Sequence, residues 1–253
     1  MKLFFQNKKN LILLIIVFIL FKVNLINIIF FTPMIADQHW AQKIFYVHVP
    51  SAWVGFLGYF IVMISGFMLL IKNDIKWDDT ALAAAEIGTF FMALVLITGP
   101  IWAKPIWGTT WIWEPRLTTT LILFLYYMGY FMFRSFGGNI ERIRRQAAVL
   151  GIIAFINVPI IFLSVQFWDP EIQSHPQVEM ANQPPEILYS FLFSLSVFTI
   201  IFILMLKYKV HLINLKNLSK ILAIFIFITL KMFCYRLTLK LNLMVKKGAL
   251  WES

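Results

Sequence analysis

The chain has 253 residues, 60% of them hydrophobic, 17% aromatic and only 13% charged, with mean hydropathy +0.80. A soluble domain is about 45–50% apolar and about 25% charged, so this composition excludes a soluble globular protein and indicates one all-α polytopic membrane bundle. Lys and Arg number 22 against 12 Asp and Glu, a formal charge of +10, which in so apolar a chain reads as basic cytoplasmic loops rather than a nucleic-acid surface.

A spanning helix needs about 20 mostly apolar residues. Six runs of that kind follow in chain order: Leu11–Phe31, Ser51–Ile71, Ala81–Trp102, Leu117–Phe133, Ala147–Phe167 and Ile187–Leu206. The first reads as a span and not as a cleavable signal, because it is too long and no small-x-small cleavage site follows it. Lys22 stands well inside this run, where a cation is costly. The N-terminus carries Lys2, Lys8 and Lys9, the second connection Lys72 and Lys76, and the fourth Arg134, Arg142, Arg144 and Arg145. The segment after Leu206 is basic as well. The remaining connections hold only Lys43, Lys104 and Arg116. The basic set alternates, so both termini are expected in the cytoplasm. Residues 1–206 thus form the six-span bundle, and 207–253 a basic cytoplasmic tail in which Ile221–Phe233 reads as an interfacial helix, with a seventh span as the alternative.

Three segments then face outward: Thr32–Pro50, Ala103–Arg116 and Trp168–Glu186. They are poor in cations and rich in His, Trp and Pro. In the middle one Trp102, Trp107, Trp111 and Trp113 cluster in one stretch with Gly108 and Pro115. An aromatic belt spreads its tryptophans over many helix ends; a cluster in one loop reads instead as a stacking platform of flat indoles with polar handles. Lys104 and Arg116 flank it and suit carboxylates. A planar macrocycle with two propionates and an iron fits that description.

Of the four histidines, His48 precedes Pro50 at the mouth of the second span and His175 follows the fifth. Both lie on the side of the Trp segment and flank it in sequence. Neutral imidazole is a common haem axial ligand, so His48 and His175 are the candidate metal ligands. His39 is also outside, with no assigned role, and His211 falls in the tail. The spans are expected to lack His, which argues against a transmembrane cytochrome b. Cys234 is the single cysteine, which excludes a disulfide framework and a thiolate cluster. There is no Cys-x-x-Cys-His and no phosphate-binding Gly-rich loop. No Ser/His/Asp or carboxylate constellation stands out, so the chain does not read as an enzyme.

The stretch Trp107-Gly-Thr-Thr-Trp111-Ile-Trp113-Glu114-Pro-Arg116-Leu-Thr resembles the tryptophan-rich "WWD" signature of haem-handling membrane proteins, and most closely the cytochrome c maturation protein C, or haem exporter protein C, family. Tyr46-Val-His48-Val-Pro-Ser-Ala-Trp53 resembles that family's first external His motif. Gly99-Pro-Ile-Trp102-Ala-Lys104-Pro-Ile-Trp107 resembles the lead-in to its Trp segment, and Asn157 to Trp168 followed by His175 its fifth span and second His loop. The resemblance covers roughly 44–206. Two positions depart: Thr110 stands where the family usually has Trp, and Glu114 where it usually has Asp.

The resemblance implies a carrier of haem b as transient cargo at the outer face of an energy-transducing membrane. His48 and His175 would serve as axial ligands, Trp107, Trp111 and Trp113 as platform, Lys104 and Arg116 as propionate partners, and Glu114 as the acidic position. It also implies partners: a haem chaperone (cytochrome c maturation protein E), a small single-span protein D, the ATP-binding-cassette subunits A and B, and membrane lipid. A bacterial inner membrane and a mitochondrial inner membrane both fit, the first on base rates. Two other readings stay open: a system II-type cytochrome c synthetase subunit, which shares the signature, and a transmembrane haem channel.

Overall fold

The computed structural model of the chain describes residues 8–34, 38–167 and 183–248, with side chains up to residue 164 and from 183 to 219. The chain divides into two compact units, Met1–Val210 and His211–Ser253. Among the described residues the secondary structure is helical throughout. Helix α1 (Lys8–Ile26) closes through a π-helical turn, Asn27–Phe31. A 3₁₀ turn, His39–Ile44, leads into α2 (Phe45–Lys72), followed by α3 (Ile75–Trp107), α4 (Pro115–Ser135), α5 (Ile140–Phe155), α6 (Asn157–Phe167) and α7 (Pro185–Gly248).

Local chemistry sets these boundaries. Asp74 caps α3 by accepting from the Lys76 amide, and Asn139 caps α5 by accepting from the Glu141 and Arg142 amides. Pro115 occupies the first turn of α4, where its missing N–H costs nothing. Asn73 ends α2 at φ 53° and Gly108 ends α3 at φ 72°, left-handed positions suited to those residue types.

Among the described residues five segments are long and apolar enough to cross a membrane: Lys8–Phe31, His39–Lys72, Ile75–Trp107, Ile140–Ser164 and Pro185–Ser219. The predicted fourth span falls in α4, which is 21 residues long, about 30 Å of helix. It is left out of that set because Thr118–Thr120 and three tyrosines dilute its apolar content. Its threonines bond inward, Thr119 Oγ1 to the Pro115 carbonyl at 2.6 Å and Thr120 Oγ1 to the Arg116 carbonyl at 2.7 Å.

Several predicted boundaries move: α3 runs on to Trp107 and α7 continues past Leu206 to Gly248. Helix α2 begins at Phe45 and takes Pro50 inside it, so His48 lies in a helix and within a candidate span, contrary to the expectation of His-free spans. Pro50 cannot donate to the Tyr46 carbonyl, and Ser51 Oγ instead bonds the next one, Val47 O, at 2.6 Å. The predicted fifth span is two helices broken at Ile156, because Pro159 cannot donate to the Phe155 carbonyl. Asn157 opens α6 and its Nδ2 donates to Thr119 O on α4 at 2.8 Å.

Within Met1–Val210, α2 and α3 form the broadest pairing, and α2 also packs on α5. Small residues allow this. A Cβ on Gly58 would stand 2.9 Å from Gly88 Cα and 3.0 Å from Ala84 O, a backbone-to-backbone approach typical of membrane helices. The core around it holds Tyr59 stacked on Tyr127 (3.8 Å, 9°), with Tyr59 Oη 3.2 Å from Thr89 Oγ1. At the end that carries the α2–α3 and α4–α5 connections, buried Asp78 receives both terminal nitrogens of Arg134 and Arg144 Nε. Glu86 on α3 pairs with Lys209 on α7.

Candidate functional site

The opposite end of α3 carries the Trp segment, and helix extends further into it than the sequence suggests. Trp102, Lys104 and Trp107 all belong to α3, so the true connection is only Gly108 to Glu114. Pro100 and Pro105 lie inside the helix. Gly108 turns the chain, its amide donating to Lys104 O at 3.0 Å while Lys104 Nζ donates to Gly108 O at 2.8 Å. Lys104 therefore ties the turn as well as flanking the indoles.

His48, half-buried, faces this end of α3. Its Nδ1 is 2.9 Å from Thr98 Oγ1, and its ring meets Trp102 edge-on at 5.6 Å. Gly99 leaves room for it, since a Cβ there would come within 3.4 Å of the His48 Cε1 atom. The Thr98 hydroxyl donates to Leu94 O at 2.7 Å. A hydroxyl has one proton, so with that proton on Leu94 O, Thr98 Oγ1 is placed to accept from His48 Nδ1–H. Phe45 braces the other side of Trp102, at 6.0 Å.

Beyond the turn, Thr109 Oγ1 donates to Trp111 O at 3.2 Å, and Trp111 meets Trp113 edge-on at 5.6 Å. Trp113 is 73% exposed, whereas Trp111 is half-buried. Trp102 Nε1 and Trp111 Nε1 are both buried without a hydrogen-bond acceptor. The Trp102 donor lies beside the His48 imidazole, where an orphaned N–H suits an acceptor on a ligand. Glu114 is 1% exposed at the N-terminus of α4, where the helix dipole favours an anion. Burial pulls the Arg116 guanidinium below its ordinary range, and Glu114 opposes that. The acidic position is thus an internal counter-charge rather than an outward-facing group.

Among the predicted site residues, His48 is brought against α3, Trp111 against Trp113, Lys104 against the Gly108 carbonyl, and Glu114 into the field of Arg116. His175 and Trp168 lie outside the described residues. His39 opens the 3₁₀ turn at φ 46°. Among the described residues no three His, Cys, Asp or Glu side chains converge on a metal position. Thr98 is a residue of this site that the sequence does not mark, and Trp102, counted with the clustered indoles, stands in α3. Thr98 stands 50 positions from His48, and only its i, i+4 spacing to Trp102 on a helix continued through Pro100 would have put both on one face.

The chain is similar to several known proteins. The family model described as "Heme exporter protein C" matches residues 2–224. A protein of Bradyrhizobium diazoefficiens named "Heme exporter protein C" is 37% identical over 175 residues, 69% of this chain and 65% of that protein. The protein of the same name from Escherichia coli K12 is 32% identical over 155 residues, 61% and 63% of the two chains. A mitochondrial protein of Marchantia polymorpha, described as ccmC-like and of cytochrome c biosynthesis, is 38% identical over 141 residues, 56% and 59%. In each case the matched stretch spans less than two thirds of the relative's length.

Proposed function

The chain belongs to the heme exporter protein C family, and from that premise we propose that it binds haem b as transient cargo at the outer face of the bacterial inner membrane and delivers it for c-type cytochrome biogenesis. The mitochondrial inner membrane is the alternative setting. The bundle crosses six times, with α4 as the sixth crossing and both termini in the cytoplasm. The segment after residue 206 lies on the cytoplasmic side, with 221–233 in the membrane interface.

One observation carries the reading. His48 is held at Nδ1 by Thr98 and lies edge-on to Trp102, whose buried indole N–H has no acceptor. His48 and His175 supply the axial nitrogens. Trp107, Trp111 and Trp113 support the ring, and the buried Trp102 and Trp111 N–H groups together with Lys104 and Arg116 meet the propionates. Glu114 balances Arg116 beneath the platform. The exposed Trp113 marks the edge from which cargo leaves. The recipient is a haem chaperone, the cytochrome c maturation protein E, assisted by a small single-span protein D and the ATP-binding-cassette subunits A and B.

The chain holds and presents haem without making a covalent bond, which separates it from a synthetase. A channel reading needs polar groups open to a path, yet Asn157 is bonded to Thr119 O and Glu86 to Lys209. The test is haem quantitation and an absorption spectrum on the detergent-purified chain. A low-spin spectrum that is altered or lost in both His48→Ala and His175→Ala is expected. Full haem occupancy in the double variant overturns the axial assignment.

A further inference from the structure

Lys22 is an exposed cation in the middle of α1. Its span runs Lys8–Phe31, so the residue lies about 21 Å from one end and about 14 Å from the other at 1.5 Å per residue. A lysine stem does not reach the nearer end. Nor does it aim there: helical side chains lean toward the N-terminus, and the Lys22 ammonium sits over the Phe18 ring, 5.4 Å from its centroid. It points along the longer route through hydrocarbon, away from the closer interface. Phe18, Ile19, Val23 and Ile26 around it are exposed and apolar, and among the described residues no carboxylate pairs with it.

α1 is also the least covered span, with 17% of its most apolar window buried against 28–56% in the other four. Its inward side is already taken. Asn24 Oδ1 accepts from Ser194 Oγ at 2.8 Å and Asn27 Nδ2 donates to Ser190 Oγ at 3.1 Å. These polar pairs fix the rotation of α1 against α7, and that rotation is what leaves Lys22 facing outward.

We infer that the Lys22 face of α1 is the docking surface for a membrane-spanning helix of another protein, one that carries an Asp or Glu at the depth of Lys22. The charge decides the occupant. Lipid tails offer an ammonium no acceptor, and intramembrane ionisable groups pair with one another. A second copy of this chain is a poor occupant, because the described carboxylate farthest from a span end, Glu86, is held by Lys209. The inference rests on the membrane-spanning reading alone, independent of haem binding.

The test places p-benzoylphenylalanine at position 19 or 26 of the full chain in its native membrane, with irradiation and mass spectrometry of the products. The expected product joins this chain to a membrane-spanning segment containing a carboxylate. Its yield falls by about tenfold or more in Lys22→Leu and persists in Lys22→Arg. It returns when Lys22→Glu is combined with Lys in place of the partner's carboxylate. Leu suits a lipid-facing helix better than Lys, so loss of the product does not report misfolding. Crosslinks to lipid only, crosslinks to a second copy, or a yield indifferent to Lys22→Leu each overturn the inference.

Discussion

Arg134 grips Asp78 with both terminal nitrogens, at 2.7 and 2.8 Å, while Arg144 Nε reaches the same carboxylate at 3.1 Å. The pair joins α3 to α4 and, through Arg144, to α5. Asp78 is 2% exposed, so removing it leaves two guanidinium groups facing each other with no anion between them. Breaking a buried pair from one side costs about 3–5 kcal/mol. Asp78→Ala is therefore expected to lower the thermal midpoint in detergent sharply. The double variant Asp78→Ala/Arg134→Met is expected to lose less than the sum of its single changes. Additive losses would mean that the two residues act separately.

The α2–α3 crossing gives a second, sterically defined prediction. Gly58→Ala drives a methyl group to 2.9 Å from the Gly88 Cα atom, and the opposing backbone cannot turn aside. Overpacking of that kind costs about 1–3 kcal/mol. Gly129→Ala on α4 is the control, since a Cβ there meets nothing within 4 Å. It is expected to be neutral or to stabilise by up to about 1 kcal/mol through helix propensity. Equal midpoints for the two variants would refute the close approach.

The run of apolar segments was legible in the sequence because lipid imposes one length on every crossing. The Trp-rich connection and its histidine were legible because Trp and His stand out chemically. What was hidden depended on proline. Pro50 and Pro105 stand in the stretches read as connections, but membrane helices tolerate proline in their interior, and both helices run through them. His48, Lys104 and Trp107 accordingly lie in helix rather than in the connections. Pro159 acted in the other direction and split a run that composition showed as continuous. The burial of Glu114 was not legible, because sequence reports its charge and not the burial of the turn that carries it. Asp78 was invisible for the same reason: its partners come from elements 56 or more positions away.

Glu114 supplies the next prediction. It is buried at the N-terminus of α4, and its charge opposes the burial penalty on the Arg116 guanidinium. Glu114→Ala leaves polar groups unmatched, a penalty of about 1–3 kcal/mol, and is expected to lower both the thermal midpoint and haem retention. Glu114→Asp keeps the charge on a shorter stem and is expected to retain most of both. Trp113→Ala is the counterpart. With Trp113 73% exposed, the midpoint should hold within about 0.5 kcal/mol, while transfer of haem to the chaperone slows. A large fall in the midpoint would place Trp113 in the fold rather than at the exit edge.

Thr98 offers the most specific test of the haem reading. Its hydroxyl gives its proton to Leu94 O and is placed to take the one on His48 Nδ1, so it holds the imidazole at that nitrogen. Thr98→Ser keeps the hydroxyl and is expected to match the parent. Thr98→Val keeps the branch and removes the acceptor, leaving Nδ1–H unmatched and the ring less firmly held. Outer-shell changes of this type weaken metal affinity by about 10–100-fold. A loss of that order in a haem titration is expected, with an altered low-spin spectrum and an unchanged thermal midpoint for the haem-free chain. Because Thr98 acts through His48, the valine change should add nothing in a His48→Ala background. A fall of equal size in that background would show that Thr98 supports the helix and not the imidazole, and the tautomer argument would fail with it.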